Sequence, residues 1–215
     1  MQVRRIAWIE DRTSDKGISI NSFVLNETEL IEQVKKKDRD AFQKLVETWE
    51  GLVYNTLLSI LQNEEDAEDV SQEVFMQVFS SIHSFKGDSK FSTWLYKITL
   101  SKATDHIRKK KRKKRFAFLQ SLYGKNDEQI IDPPEFFHPG IQLENKESGA
   151  ELFKAIDQLL PNQKTAFILN KIEHLSYKEI GEILNISDAA VDSLLQRARE
   201  KLKKILREYY KQLNT

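Results

Sequence analysis

The chain has 215 residues, room for one large domain or two small ones, with 40% hydrophobic residues, 31% charged residues and a formal net charge of only +1. So balanced a charge says nothing about partners in bulk, and only its distribution along the chain can. There is no cysteine, which excludes disulfides and thiolate metal sites; His83, His106, His138 and His174 are scattered without ligand spacing, so no metal is expected.

No apolar run reaches the roughly 18 residues of a membrane helix. The opening MQVRRIAWIEDRTSD is basic but has no apolar centre, so it does not read as a signal peptide, and a cytoplasmic protein is expected. Seven glycines and four prolines predict a mostly helical chain.

Residues 1–26 show no period and read as a flexible extension. Asn26 to Glu32 caps and opens a first helix carrying Leu30, Ile31 and Val34. Ala41, Phe42, Leu45, Val46 and Trp49, then Leu52, Val53, Leu57, Leu58 and Leu61, recur at helical spacing and read as core. Asn63 is an N-cap, and Glu64, Glu65 and Asp66 fill a first turn where the helix dipole favours negative charge. Val70, Val74, Val78 and Ile82, with Phe75 and Phe79 beside them, make the buried stripe. Asp69, Gln72 and Glu73 share another face, which alone could be no more than a solvated surface.

Ser84 to Ser92 holds the turn Gly87-Asp88-Ser89. A helix from Phe91 or Ser92 then runs through Trp94, Leu95, Ile98 and Ala103 to Ile107, and flows into eight consecutive cations, Arg108 to Arg115. Cations suit a helix C-terminus, but eight exceed what capping needs and repel one another without a polyanion. Trp94 and Tyr96 beside Lys97 suit a single strand, on which nucleobases stack. Residues 116–149 hold Pro133, Pro134 and Pro139 and lose the period, so they read as a linker. Phe116, Phe118, Tyr123, Phe136 and Phe137 are unusual for a free linker and suggest that it docks.

From Ala150 the period returns with Leu152, Phe153, Ile156, Leu159 and Leu160. Pro161 opens a helix with Ala166, Phe167, Leu169 and Ile172. Ser176-Tyr177-Lys178-Glu179 is a capping box, followed by Ile180, Ile183 and Leu184. After the turn Asn185-Ile186-Ser187, a long helix buries Val191, Leu194 or Leu195, Ala198, Leu202, Ile205 and Leu206. Small Gly181 sits where the two helices must approach, which makes a helix-turn-helix pattern. Ser193, Gln196, Arg197, Arg199 and Lys201 are left on the polar face for a groove.

Three stretches in order, DAEDVSQEVF, FKGDSKFSTWLYKI and LSYKEIGEILNISDAAVDSLLQRAREKL, resemble the extracytoplasmic-function subfamily of RNA polymerase sigma factors over about Glu27 to Leu213. The resemblance implies an all-α protein of two small helical domains joined by a flexible linker, the second a helix-turn-helix. Its parts would be an extension at 1–26, sigma region 2 at 27–115, a linker at 116–149 that threads the polymerase cleft, and sigma region 4 at 150–215. It implies binding to core RNA polymerase, direction to promoter DNA, help in opening it, and restraint by an anti-sigma factor. Asp66, Asp69, Gln72 and Glu73 would meet the clamp coiled coil of the largest catalytic subunit.

Lys86, Asp88, Ser89, Lys90, Phe91, Thr93, Trp94, Lys97, Ser101, Arg108, Lys109 and Arg112 would serve the minus-10 element, although Trp94 suits the core equally well. Tyr177, Lys178, Ser187, Ala189, Asp192, Ser193, Gln196, Arg197 and Arg199 would serve the minus-35 element. Ser101 stands where the family often has Asn, and Asp192 and Leu194 where it often has bases. Asp192 cannot hold a phosphate but can accept from a cytosine amino group.

A two-domain helix-turn-helix regulator with a sensor half is the alternative, but it has no need of FSTWLYKI joined to a basic run. Nothing supports an enzyme: there is no glycine-rich phosphate loop and no paired histidine and nucleophile. Neither a cofactor nor a small-molecule substrate is expected.

Overall fold

The computed structural model describes residues 20–123 and 146–213. Eight α-helices are found among them: α1 (Ile20–Lys35), α2 (Arg39–Leu61), α3 (Glu64–Ser81), α4 (Phe91–Tyr123), α5 (Lys146–Asp157), α6 (Pro161–Lys171), α7 (Tyr177–Leu184) and α8 (Asp188–Leu213). A single 3-10 turn, Ile82–Ser84, follows α3.

The local chemistry explains the breaks. Asp38 Oδ1 accepts from the backbone N–H of Asp40 at 2.9 Å and of Ala41 at 3.0 Å, which caps α2. That helix ends at Gln62, in the left-handed region at φ 53°. Asn63 Oδ1 accepts from the Asp66 N–H at 2.8 Å, and Glu64, Glu65 and Asp66 fill the first turn of α3, as the sequence predicted. Leu45, Val53, Leu57 and Leu58 of α2, Val70, Val74 and Val78 of α3, and Leu95 and Ala103 of α4 form the core of the first half. Each such aliphatic side chain contributes about 1.5–3 kcal/mol by leaving water.

In the second half, Phe153, Ile156, Leu159 and Ile168 pack with Ala198 and Leu202. Beside them Ala166, Leu169, Ile180, Ile183, Val191 and Leu195 form the interior of the helix-turn-helix. The Ser176 capping box is present: Ser176 Oγ accepts from Glu179 N–H at 3.3 Å, and Ser176 N–H donates to Glu179 Oε2 at 3.1 Å. A Cβ on Gly181 would lie 2.8 Å from Ile186 O, so the close approach of α7 to the turn admits only glycine.

Three boundaries differ from the sequence reading. α1 starts at Ile20 rather than near Asn26. α4 continues through the basic run to Tyr123, past the expected start of the linker, because Lys and Arg are good helix formers and no Gly or Pro intervenes. α5 begins at Lys146 rather than Ala150. Phe116 stands exposed on α4. For the side chains of Phe118, Tyr123, Phe136 and Phe137 the expected docking falls outside the described residues. Leu160, read as part of an apolar stripe, is exposed at the entry to α6.

The two halves touch. α2 meets α6, and α4 meets α7. Gln62 Nε2 at the end of α2 donates to the Phe153 carbonyl at 3.2 Å.

Candidate functional site

The buried stripe of α3 turns its opposite side outward. Asp69, Gln72 and Glu73 are exposed there, and Met76 continues the same side with 71% of its surface free. Phe79 edges it and meets Phe42 edge-on, ring centres 4.9 Å apart. The sequence reading missed Met76, although an apolar residue off the buried stripe was a usable signal. Asp66 is not free in the same sense. Its Oδ1 lies 3.1 Å from His106 Nε2 and its Oδ2 accepts from Lys110 Nζ, so it ties α3 to α4. Glu73 Oε2 is 3.6 Å from Lys102 Nζ.

The loop before α4 turns at Gly87, whose φ of 81° is in the left-handed region. It exposes Lys86, Asp88 and Lys90, with Ser89 half-buried. Phe91 and Thr93, expected at the DNA surface, are 3% and 2% exposed and belong to the core. Phe91 is held among aromatic rings: Phe85 at 5.5 Å, Trp49 at 5.6 Å and Trp94 at 5.6 Å. Trp94 and Trp49 are the half-buried members of that cluster, and Phe85 and Phe91 are buried. Beyond it Lys97, Ser101, Arg108, Lys109 and Arg112 are exposed, as is every residue from Arg108 to Phe116.

In the helix-turn-helix, Val191, Leu195, Ala198 and Leu202 are buried, as their spacing predicted. Lys178, Ser187, Ala189, Asp192, Ser193, Gln196, Arg197 and Arg199 are exposed, and Tyr177 is half-buried. Ser187 Oγ accepts from Ala190 N–H at 3.3 Å, which starts α8. Arg199 donates to the Tyr177 hydroxyl at 2.9 Å and joins the middle of α8 to the start of α7. Gln196 donates to Glu200 at 3.2 Å, a surface bond that a base edge could replace. Arg197 lines an open groove of about 410 Å³ with Asn162, Leu184, Ile186 and Leu194.

Where the halves meet, a second polar set appears that no period in the sequence announces. Lys90 Nζ pairs with Glu179 Oε1 at 2.9 Å. Lys90 and the Ser176 capping groups together hold the Glu179 carboxyl down at about 2, and Glu179 in turn raises the Lys90 ammonium. Tyr96 donates to Glu173 Oε2 at 3.1 Å. Burial pushes the Glu173 carboxyl up, opposed in part by the Thr56 and Tyr96 hydroxyls, and burial also pushes the Tyr96 phenol up. Thr56 Oγ1 and Glu173 Oε1 are buried without reaching hydrogen-bond geometry.

Among the described residues no group of three or more His, Asp or Glu could hold a metal ion, and no helix is long and apolar enough to cross a membrane.

Two family models match the chain: Sigma-70 region 2 over residues 45–113 and Sigma-70, region 4 over residues 150–202. The extracytoplasmic-function (ECF) sigma factor SigW of Bacillus subtilis is 36% identical over 182 residues, covering 83% of this chain and 95% of that relative. The ECF sigma-E factor of Escherichia coli is 31% identical over 176 residues, covering 82% of this chain and 92% of the relative. Among solved structures, CnrH in complex with the cytosolic domain of CnrY shares the fold with a TM-score of 0.60 at 22% identity, covering 83% of this chain and 96% of that one. RpoE of Bartonella quintana, solved with the anti-sigma factor NepR, shares it with a TM-score of 0.57 at 22% identity, covering 77% of this chain and 96% of that one. With both regions matched and a curated relative 36% identical over most of its length, the chain belongs to the ECF sigma factors of the sigma-70 family.

Proposed function

We propose that this sigma factor divides its work between residues 27–115, which dock core RNA polymerase and take the minus-10 strand, and residues 150–215, which read the minus-35 element. Asp69, Gln72, Glu73 and Met76 form the polymerase-facing side of α3, with charge to orient the encounter and an apolar centre to anchor it. Asp66 acts from behind, fixing α3 to α4 through His106 and Lys110. Lys86, Asp88, Ser89, Lys90, Trp94, Lys97 and Ser101 serve the minus-10 strand, while Arg108, Lys109 and Arg112 hold phosphates. Phe91 and Thr93 support the loop from within. On α7 and α8, Tyr177, Lys178, Ser187, Arg197 and Arg199 position the duplex, and Ala189, Asp192, Ser193 and Gln196 meet base edges. The chain supplies recognition and the polymerase supplies the chemistry. An anti-sigma factor is the expected restraint: the similarly folded Bartonella quintana RpoE was solved with the anti-sigma factor NepR, and CnrH with the cytosolic domain of CnrY.

The observation that carries this reading is an acidic-apolar face on α3 beside a run of eight exposed cations on α4, on two helices that share one core. Purified chain added to sigma-free core polymerase should start transcription at particular promoters from a genomic library. Initiation no more selective than that of core polymerase alone would overturn the reading.

A further inference from the structure

Phe116 is 68% exposed, a ring standing at the end of eight consecutive exposed cations on α4. On a helix its neighbours are the residues three, four and seven positions back, here Lys113, Arg112 and Lys109. A large apolar side chain ringed by charge does not suit a protein pocket, since covering the ring would strip water from the cations around it. Nor does holding a phosphate call for a ring, because a cation does that alone. The two kinds of side chain are wanted together where an unpaired strand lies along a basic surface: cations track its backbone and aromatic rings stack on its bases. In a duplex those base faces are covered by their neighbours.

The position along α4 agrees. Phe116 lies 22 positions after Trp94. That is about six turns, so the two side chains leave the axis within about 40° of each other and about 33 Å apart. Between them on that side are Ser101, Arg108 and Arg112, all exposed. Asp105 is the one carboxylate from Phe91 to Phe116, and it sits 3.8 Å from Arg108 in an exposed pair that a phosphate can displace. At about 3.4 Å per stacked nucleotide the interval holds roughly ten nucleotides. That falls within the about 4–16 that one stacking module covers.

Resting on the reading of α4 as the minus-10 side, we propose that Phe116 is a stacking platform for unpaired promoter DNA: its ring takes the face of one nucleobase beyond the minus-10 segment, while Arg112 and Lys113 hold the phosphates on either side. The end of the basic run then does more than anchor phosphate of any kind. It tells a melted strand from a duplex.

Phe116→Leu keeps bulk and apolarity but removes the π-face, and Phe116→Trp enlarges it. Both changes lie on the surface, so folding is little altered. Fluorescence anisotropy of the full chain uses short random-sequence probes of single-stranded DNA, single-stranded RNA and duplex DNA. Phe116→Leu should bind single-stranded DNA about five- to tenfold more weakly than wild type, with duplex affinity unchanged. Its slope of log affinity on log salt should keep the wild-type value, since no phosphate contact is lost. Phe116→Trp should bind single-stranded DNA at least as tightly as wild type. The emission of its added indole, taken as the difference from wild type, should be quenched by single-stranded DNA and not by duplex. Wild-type single-strand affinity in Phe116→Leu, an equal loss on duplex, or a loss confined to RNA would overturn the proposal.

The same proteins are assayed for selective initiation with core polymerase. A wild type that initiates selectively, beside a Phe116→Leu chain with undiminished single-strand affinity, sinks only the stacking. A Phe116→Leu loss beside a wild type that does not initiate selectively sinks the functional reading and upholds the stacking.

Discussion

Glu73 Oε2 and Lys102 Nζ face each other at 3.6 Å across the junction of α3 and α4, so the acidic side of α3 carries a cation of its own. A basic surface arriving on α3 must displace or share that lysine. Lys102→Ala should therefore raise affinity for core polymerase modestly, about twofold, as befits an exposed pair. Asp69→Lys with Glu73→Lys should lower it strongly while costing only ~0.5 kcal/mol of fold stability. Met76→Asp should also weaken it, by about 1–2 kcal/mol if Met76 is the apolar anchor. Titration of labelled core polymerase with each chain measures all three, and unchanged affinity in the folded double mutant removes α3 from the contact.

The eight-residue run at the end of the α4 core contact is exposed throughout, but its members are not equivalent, because Lys110 is engaged by Asp66. Neutralising Lys109, Lys113 and Lys114 should flatten the salt dependence of promoter binding by roughly 0.9 log–log units per lost phosphate contact. Neutralising Lys110 should flatten it less. A variant that keeps the slope and changes its preferred promoter contradicts the assignment.

On α8, Asp192 and Gln196 are exposed, each about 100° around the axis from buried Val191 and Leu195. Gln196→Ala should alter preference at one or two base pairs of the minus-35 element, worth about 1–3 kcal/mol per good bidentate contact. Arg197→Ala should weaken binding to all promoters alike. Selection from a library randomised at minus-35 separates the cases, and an unchanged motif for both Gln196→Ala and Asp192→Ala means another face reads the groove.

Gly181 has backbone, not a flexible side chain, in the way of a Cβ: Ile186 O at 2.8 Å, with Asp188 Oδ1 at 3.2 Å behind it. Gly181→Ala should destabilise the helix-turn-helix by about 1–3 kcal/mol. Thermal melting followed by circular dichroism measures it, and a melt as high as wild type would show that α7 can move off the turn at no cost.

The docked halves should respond to pH through two carboxylates of opposite sense. Glu179 is lowered to about 2, by Lys90 first and then the Ser176 groups, with Glu182 also near Lys90. Its contribution is therefore complete above the ordinary value of about 4.5 and is lost as pH falls toward 2. Glu173 is raised by burial, against Thr56, Tyr96 and His174. Its contribution is complete below about 4.5 and is lost as pH rises through the elevated value. Lys90 is raised, so its share persists to above 10.5. Docking should be tightest between the ordinary carboxylate range and the elevated value of Glu173. A radius of gyration followed across pH by small-angle scattering should be smallest there, and Glu173→Gln should abolish the expansion on the alkaline side. A radius that is flat with pH in the wild type contradicts the assignment.

What the sequence disclosed was what repeats or caps. The stripe Val70, Val74, Val78, the caps Asn63, Ser176 and Ser187, and the crossing glycine Gly181 all lie where spacing and residue type put them. Phe91 and Thr93 were misjudged because a motif fixes position along a helix start, not depth. The ring packing of Phe85, Trp49 and Trp94 draws that first turn inward. The contacts of Lys90 with Glu179 and Tyr96 with Glu173 were illegible because each joins residues more than seventy positions apart and obeys no period. The end of α4 was misplaced because the apolar period is lost from residue 116 on, although no glycine or proline stops the helix before Tyr123.

That unbroken α4 sets an angular relation as well as a linear one. Lys97 near its start and Arg112 two thirds of the way along belong to one rod of 33 residues, so their directions around the axis are locked together by the count of residues between them. A single inserted residue between them would swing the cationic end by about 100° relative to the aromatic loop, while an insertion of roughly seven, two turns, would nearly restore the alignment and lengthen the rod by about 10 Å. On the proposed reading, the path of promoter DNA over α4 is encoded as a phase, and a helix with no glycine or proline from Phe91 to Tyr123 leaves no place where the phase can slip.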